Sequence, residues 1–272
     1  MRYLLLLLLF PLAARAQDIP IGTWRTHPSF NQLDDVERVG DRIWGGSRGG
    51  LFFYDRSDGS VRRLSKIDGI SGVSVRDIKH SPEAGLLVVA YTDGGIDLVG
   101  DDGTIRTIGA IVRAGSIQGS RRINHIYVDG TLAYLSCDFG VVVLDLVRAE
   151  VRENYTLRDE AGVQMATYSS AVSAGERLVV VTTNGLQVGA LADNLLDNRN
   201  WSPLPSPLPA GAEQALAELD GVVYGLAGRV WALRGDTWEA VTGETGYGRA
   251  VDANVGAGSI TFATSVSALT FD

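Results

Sequence analysis

The sequence predicts an all-β fold, a β-propeller of about six four-stranded blades, and three observations predict it. The first is a set of similar hairpins: "DRIWGGSRGGLFFYD" at 41–55, "LLVVAYTDGGIDLV" at 86–99, "TLAYLSCDFGVVVLD" at 131–145, "RLVVVTTNGLQVGA" at 177–190 and "VVYGLAGRVWAL" at 222–233. The second is their spacing. The glycine before the second strand is Gly50, Gly95, Gly140, Gly185 and Gly228, in steps of 45, 45, 45 and 43 residues. The third is a second glycine in the same register, at the start of each unit: Gly40, Gly85, Gly130, Gly175, Gly221 and Gly258. A repeat of about 45 residues made only of strands is what a propeller blade looks like in sequence. Glycine suits these turns because it reaches positive φ without steric cost, so positive φ is expected at the hairpin glycines, Gly95 and Gly185 among them.

Each unit divides into four strands. The first takes 34–39, 42–45, 51–55 and 60–64; the second 75–80, 86–91, 96–99 and 104–108. The third takes 123–128, 132–136, 141–146 and 151–157; the fourth 170–173, 178–182, 186–190 and 200–204. The fifth takes 215–219, 222–226, 230–233 and 237–241; the sixth has three, 250–254, 260–263 and 268–271. Second strands are the most apolar, as expected where a strand is packed on both faces. "GTWRTH" at 22–27 resembles "GDTWEA" at 235–240, the fourth strand of unit five. It is therefore expected to pair as an N-terminal strand that closes the last blade and removes its open edge. The proline-rich stretch 191–213 reads as an extended connection within the fold, since four of the eight prolines lie there.

The start, "MRYLLLLLLFPLAARA", has a basic residue, a short apolar run and a small-residue end, so residues 1–16 are expected to be a signal peptide and 17–272 the propeller domain. The apolar run is too short to span a bilayer, and no later segment is apolar enough, so no transmembrane segment is expected in the mature chain. Localisation is accordingly expected to be exported, in the periplasm or on the outer cell surface. Removing Arg2 and Arg15 leaves 22 basic against 32 acidic residues, a net charge of −10. That balance argues against nucleic acid as a partner, because phosphate binding is driven by Lys and Arg. The single cysteine, Cys137, permits no internal disulfide and reads as a small core residue.

No constellation of nucleophile, base and orienting group is evident. His27, His80 and His125 are far apart and lack a second ligand at zinc spacing, so they read as structural. The acidic run at Asp193 and Asp197 lacks the glycine and terminal glutamate of a calcium loop. Asp93, Asp97, Asp101 and Asp102 read as turn formers. No phosphate loop, dinucleotide fingerprint or G-x-S-x-G is found, so no cofactor and no enzyme activity are expected. The five tryptophans read as blade packing.

"IWGGSRGGLFFYD" resembles the repeat of two-component-regulator propellers. The stretch 19–99 is more specific. "GTWRTH", "GLF" at 50–52, "LSKIDGIS" at 64–71 and "YTDGGIDL" at 91–98 are similar to the PorZ N-terminal propeller family, surface components of the type IX secretion system of Bacteroidetes. The resemblance implies a non-enzymatic component that works with the sortase and the attachment-complex proteins and presents anionic lipopolysaccharide. The connection Ile67, Asp68, Gly69, Ile70 and Ser71, the connection 157–162 and the channel mouth are the expected binding surface. Two other readings stay open: the sensor ectodomain of a hybrid two-component regulator, and a polysaccharide-active propeller enzyme. The latter requires a cluster of carboxylates, histidine or tyrosine in the channel.

Overall fold

A computed structural model describes residues 32–271 except 212, 213, 257 and 266. It is a six-bladed β-propeller. Blade one contains β1 (Leu33–Val39), β2 (Arg42–Ser47), β3 (Gly50–Asp55) and β4 (Val61–Leu64). Blade two contains β5 (Val75–Ser81), β6 (Leu86–Tyr91), β7 (Ile96–Gly100) and β8 (Ile105–Ile108). Blade three contains β9 (Ile123–Asp129), β10 (Leu132–Cys137), β11 (Gly140–Asp145) and β12 (Glu150–Tyr155). Blade four contains β13 (Thr167–Ser173), β14 (Arg177–Thr182), β15 (Gly185–Ala190) and β16 (Trp201–Leu204). Blade five contains β17 (Leu216–Leu219), β18 (Val222–Leu226), β19 (Val230–Arg234) and β20 (Thr237–Ala240). Blade six, among the described residues, has β21 (Asp252–Gly256), β22 (Ser259–Ala263) and β23 (Ala268–Phe271). Every sheet is an antiparallel meander in chain order. The expected closing strand at Gly22–His27 and the signal peptide lie outside the described residues.

The period of two along each strand explains how the blades stack. On β6, Leu87, Val89 and Tyr91 pack toward blade one, while Leu86, Val88 and Ala90 pack toward blade three. All six residues are buried, which is why this strand reads as an unbroken apolar run rather than an alternation. Five apolar clusters among the described residues sit between successive blades in this way. Trp44, Trp201 and Trp238 are buried within them, and the Trp201 indole N–H donates to the Leu195 carbonyl at 3.0 Å. Cys137 is fully buried, and burial pushes its thiol pKa up.

Three details differ from the sequence reading. Positive φ falls on Gly94 (86°) and not on Gly95, although Gly185 (118°) is as expected. The turn after β6 is closed by Tyr91 N donating to the Gly95 carbonyl, one residue beyond the Ser47–Gly50 pairing of blade one, so the left-handed position moves forward by one. A Cβ on Gly94 would also meet the Arg121 carbonyl at 2.6 Å. Asp97 is no turn former. It is fully buried on β7 and accepts from the Tyr91 hydroxyl, the Thr107 hydroxyl and the Ser71 amide, each at 2.7 Å. Finally, a one-turn helix, α1 (Ala110–Arg113), interrupts the connection from blade two to blade three, with Ile111 buried against the core.

Candidate functional site in the axial channel

The six first strands, β1, β5, β9, β13, β17 and β21, line the axis. The face on which they begin is called upper here, and the face on which they end lower. Four of the six carry a β-bulge near the upper end, between Leu33 and Asp35, Val75 and Asp77, Ile123 and His125, and Thr167 and Ser169. A bulge re-aims the side chains that follow it. Asp35, Asp77, His125 and Ser169 therefore occupy equivalent positions at one level of the channel.

These residues stitch the blades together. The Ile78 amide donates to Asp35 Oδ2 at 2.7 Å, the Ile126 amide to Asp77 Oδ2 at 2.8 Å, and the Leu216 amide to Ser169 Oγ at 3.0 Å. Two residues further along, β1, β5 and β9 place Glu37, Lys79 and Tyr127 at a lower level, with Glu218 of β17 nearby. Glu37 accepts from the His80 amide at 3.2 Å and from Asn254 Nδ2 at 2.9 Å, and it pairs with Lys79 Nζ at 3.4 Å. Glu37 on β1 thus holds blades one, two and six at one point.

Burial governs the charges here. It raises Asp35 to about 6, with the Asp252 carboxylate adding to the effect. It raises Asp77 well above its ordinary value, helped by the Asp35 carboxyl beside it. Burial pulls the Lys79 ammonium down, but the carboxylates of Glu37, Asp35, Asp252 and Asp77 outweigh it, so its pKa is raised. Burial pushes His125 down to about 4, against the pull of Asp252 and with Lys79 and Arg76 assisting. The channel is therefore built around two carboxyls with raised pKa values and a neutral imidazole. Sequence reasoning took His125 for an ordinary structural histidine. It is 9 % exposed, it lies between the two channel cavities, and its Nδ1 has no protein partner.

Two cavities open from the axis. The lower one, about 500 Å³, is lined by Glu37, Lys79, His80, Tyr127 and Glu218 among others. The upper one, about 270 Å³, is lined by Arg76, Arg122, Asn124, His125, Tyr168 and Gln214 among others. Among the described residues, no group of three or more His, Cys, Asp or Glu side chains is placed to hold a metal ion.

The family model for the type IX secretion (TSS9) PorZ N-terminal β-propeller domain matches residues 43–202. The chain belongs to the PorZ N-terminal β-propeller family. A solved structure of PorZ from Porphyromonas gingivalis, described as an essential bacterial surface component of the type-IX secretion system, superposes with a TM-score of 0.72 at 20% identity. The match covers 92% of this chain and 34% of that one. The extracellular domain of BT4673 from B. thetaiotaomicron, described as a one-component system in one structure and a hybrid two-component system in another, superposes with TM-scores of 0.62 and 0.61. Identity is 10% in both, over 88% of this chain and 33% of the other. The chain thus spans about a third of the length of these solved structures, and at such identities the likeness carries the fold. No curated protein matches by sequence.

The PorZ-type propeller presents its fourth-to-first-strand connections, with the hairpins between second and third strands, on the upper face. In the connection Ile67–Ser71, a 3₁₀ turn (Lys66–Asp68) is capped by Asp68, which accepts from the Ser65 amide and hydroxyl at 2.8 Å each. Gly69 holds φ 104° and Ile70 is buried between blades one and two. The Ser71 amide is fastened to buried Asp97. Ile67 is left 67 % exposed on a loop fixed at both ends. Val73, Val112 and Val163, on this and two further upper-face connections, are exposed as well. In the connection 157–162, Leu157 is buried and the turn closes through the Gly162 amide on the Asp159 carbonyl at 2.9 Å.

Proposed function

We propose that this propeller is a non-enzymatic binding and scaffolding module of the type IX secretion and surface-attachment machinery. In this reading residues 1–16 are removed as a signal peptide, and the 17–272 domain acts in the periplasm or on the outer surface. Its partners are the sortase and the attachment-complex proteins, and it presents anionic lipopolysaccharide to the sortase. The upper face is the binding surface, with Ile67, Asp68, Gly69, Ile70 and Ser71 at its edge. The observation that carries this is a set of exposed apolar side chains, Ile67, Val73, Val112 and Val163, on upper-face connections. Ile67 stands on a loop locked by Asp97. Rigid loops on a closed scaffold bind partners without chemistry. The family match supports the machinery in which they do so.

The enzyme alternative draws on the Asp35–Asp77 pair. Each of these carboxyls already gives one oxygen to a backbone amide of the next blade, and both are half-buried. That occupation favours a structural clasp over acid–base work on a polymer. The test is deletion of the gene and complementation with the wild type or with an Ile67→Asp, Val163→Asp double variant. Secretion of type IX cargo and attachment of lipopolysaccharide to it are the readouts. Loss on deletion, rescue by the wild type and poor rescue by the double variant are expected. Normal secretion and attachment in the deletion strain would reject the reading.

A further inference from the structure

Five buried side-chain polar atoms among the described residues have no protein partner. Three of them, Arg76 Nε, His125 Nδ1 and Gln214 Oε1, belong to residues lining the one upper cavity. Gln214 is 2 % exposed and His125 9 %. A buried polar group without a partner is costly, so three in one cavity need a reason. Other polar groups of that wall are satisfied. Asp138 accepts from Ser120 Oγ at 2.6 Å and Asn124 Nδ2 at 2.8 Å, and Ser169 Oγ accepts from the Leu216 amide. The unpartnered atoms are thus not a general failure of packing but a specific set of two nitrogens and one amide oxygen.

The set defines a ligand chemistry. The Arg76 guanidinium, with Arg122 on the rim, calls for an anion, and the planar fork of arginine fits a carboxylate bidentately. Gln214 Oε1 is an acceptor, because its Nε2 already donates to the Ala215 carbonyl at 3.1 Å, so the ligand must also bring a donor. An ammonium there would be repelled by two guanidinium groups, so the donor must be neutral, as a hydroxyl is. Neutral His125 Nδ1 can serve as donor or acceptor to either group. A cavity of about 270 Å³ lies just under the ~300–1,000 Å³ typical of drug-sized ligands. It holds something the size of one sugar residue.

We propose that the upper mouth of the channel is a binding site for a small hydroxy-carboxylate, of the size and chemistry of a single uronic acid unit, held by Arg76, His125 and Gln214. This site is independent of the partner surface proposed above, and either can fail alone.

The test is calorimetric titration of the full chain at neutral pH with D-glucuronate, D-glucose and inorganic phosphate as probes. Glucuronate is expected to bind, with glucose and phosphate each at least about tenfold weaker. Arg76→Gln should weaken glucuronate by about tenfold or more, and Gln214→Leu should also weaken it while leaving the unfolding midpoint in place. Phosphate binding as tightly as glucuronate would overturn the hydroxy-carboxylate assignment. Absence of binding, or binding indifferent to both substitutions, would overturn the site. If Arg76→Gln does not fold, the His125 imidazole resonances of the wild-type protein decide: they must move on addition of glucuronate, and unmoved resonances refute the proposal.

Discussion

The two ends of the channel are built around the same first strands and differ in how far their polar groups are satisfied. At the lower end Glu37 meets Lys79, the His80 amide and Asn254, so that one carboxylate ties three blades. At the upper end Arg76, His125 and Gln214 each keep a buried atom without a protein partner. The difference teaches how to separate structure from recognition in a channel lined throughout by polar side chains. A satisfied network holds the fold, whereas an unsatisfied one stores capacity for something else.

The largest effect is expected from breaking the satisfied end. Glu37→Ala would leave the Lys79 ammonium without its nearest counter-charge and would cut the clasp to Asn254. A loss of about 4 kcal/mol in urea-induced unfolding is expected. A midpoint unchanged from wild type would show that the lower network contributes nothing to stability.

Titration sharpens the contrast between the levels. The folded pKa of Asp35, about 6, lies above its ordinary value of 3.8, so the protonated carboxyl stabilises the fold below pH 3.8 and loses that contribution as pH rises through 6. Asp252, Asp77 and Lys79 face it, so Asp35→Asn is expected to flatten this slope by on the order of 2 kcal/mol. His125 runs the other way. Its folded pKa of about 4 lies below 6.5, so its contribution is complete above pH 6.5 and is lost as pH falls to about 4. His125→Phe should remove that acid-side loss, again on the order of 2 kcal/mol. Unfolding curves recorded across both windows check the pair, and identical pH profiles for wild type and variants would refute both assignments. The smallest effect is expected at the unsatisfied end, where Gln214→Leu removes a partnerless acceptor and should shift stability by no more than about 1 kcal/mol. A loss well beyond that would mean that Gln214 belongs to the structural network after all.

Strands and blades were legible because two simple signals coincide: apolar runs that flank turns and glycines in a fixed register. Strand edges agree to within about three residues, and the main miss, the start of β13, falls where polar Thr167 and Ser169 interrupt the apolar pattern. The channel was not legible. Which residues face the axis depends on the bulges before Asp35, Asp77, His125 and Ser169, and a bulge leaves no mark in composition. One signal was available. A polar residue recurs inside the first strand of unit after unit, where a strand buried at the centre of a disc would be expected to be apolar. Turn residues misled in one place: Asp97 follows Gly94–Gly95 but belongs to the strand, where it anchors the Ser71 amide.

The Glu37–Asn254 bond joins residues 217 positions apart, whereas the strand pairings within each blade join neighbours through short turns. Blades can therefore zip up from local contacts, each quickly and with small loss of chain freedom, while the meeting of blade six with blade one waits until the intervening blades are in place. The entropic toll of such a closure grows only with the logarithm of the loop, so the delay is set less by its length than by how rigid an arc the first blades have become. A propeller of this kind resembles a clasped bracelet, whose links form readily and whose shape becomes permanent only when the two ends meet.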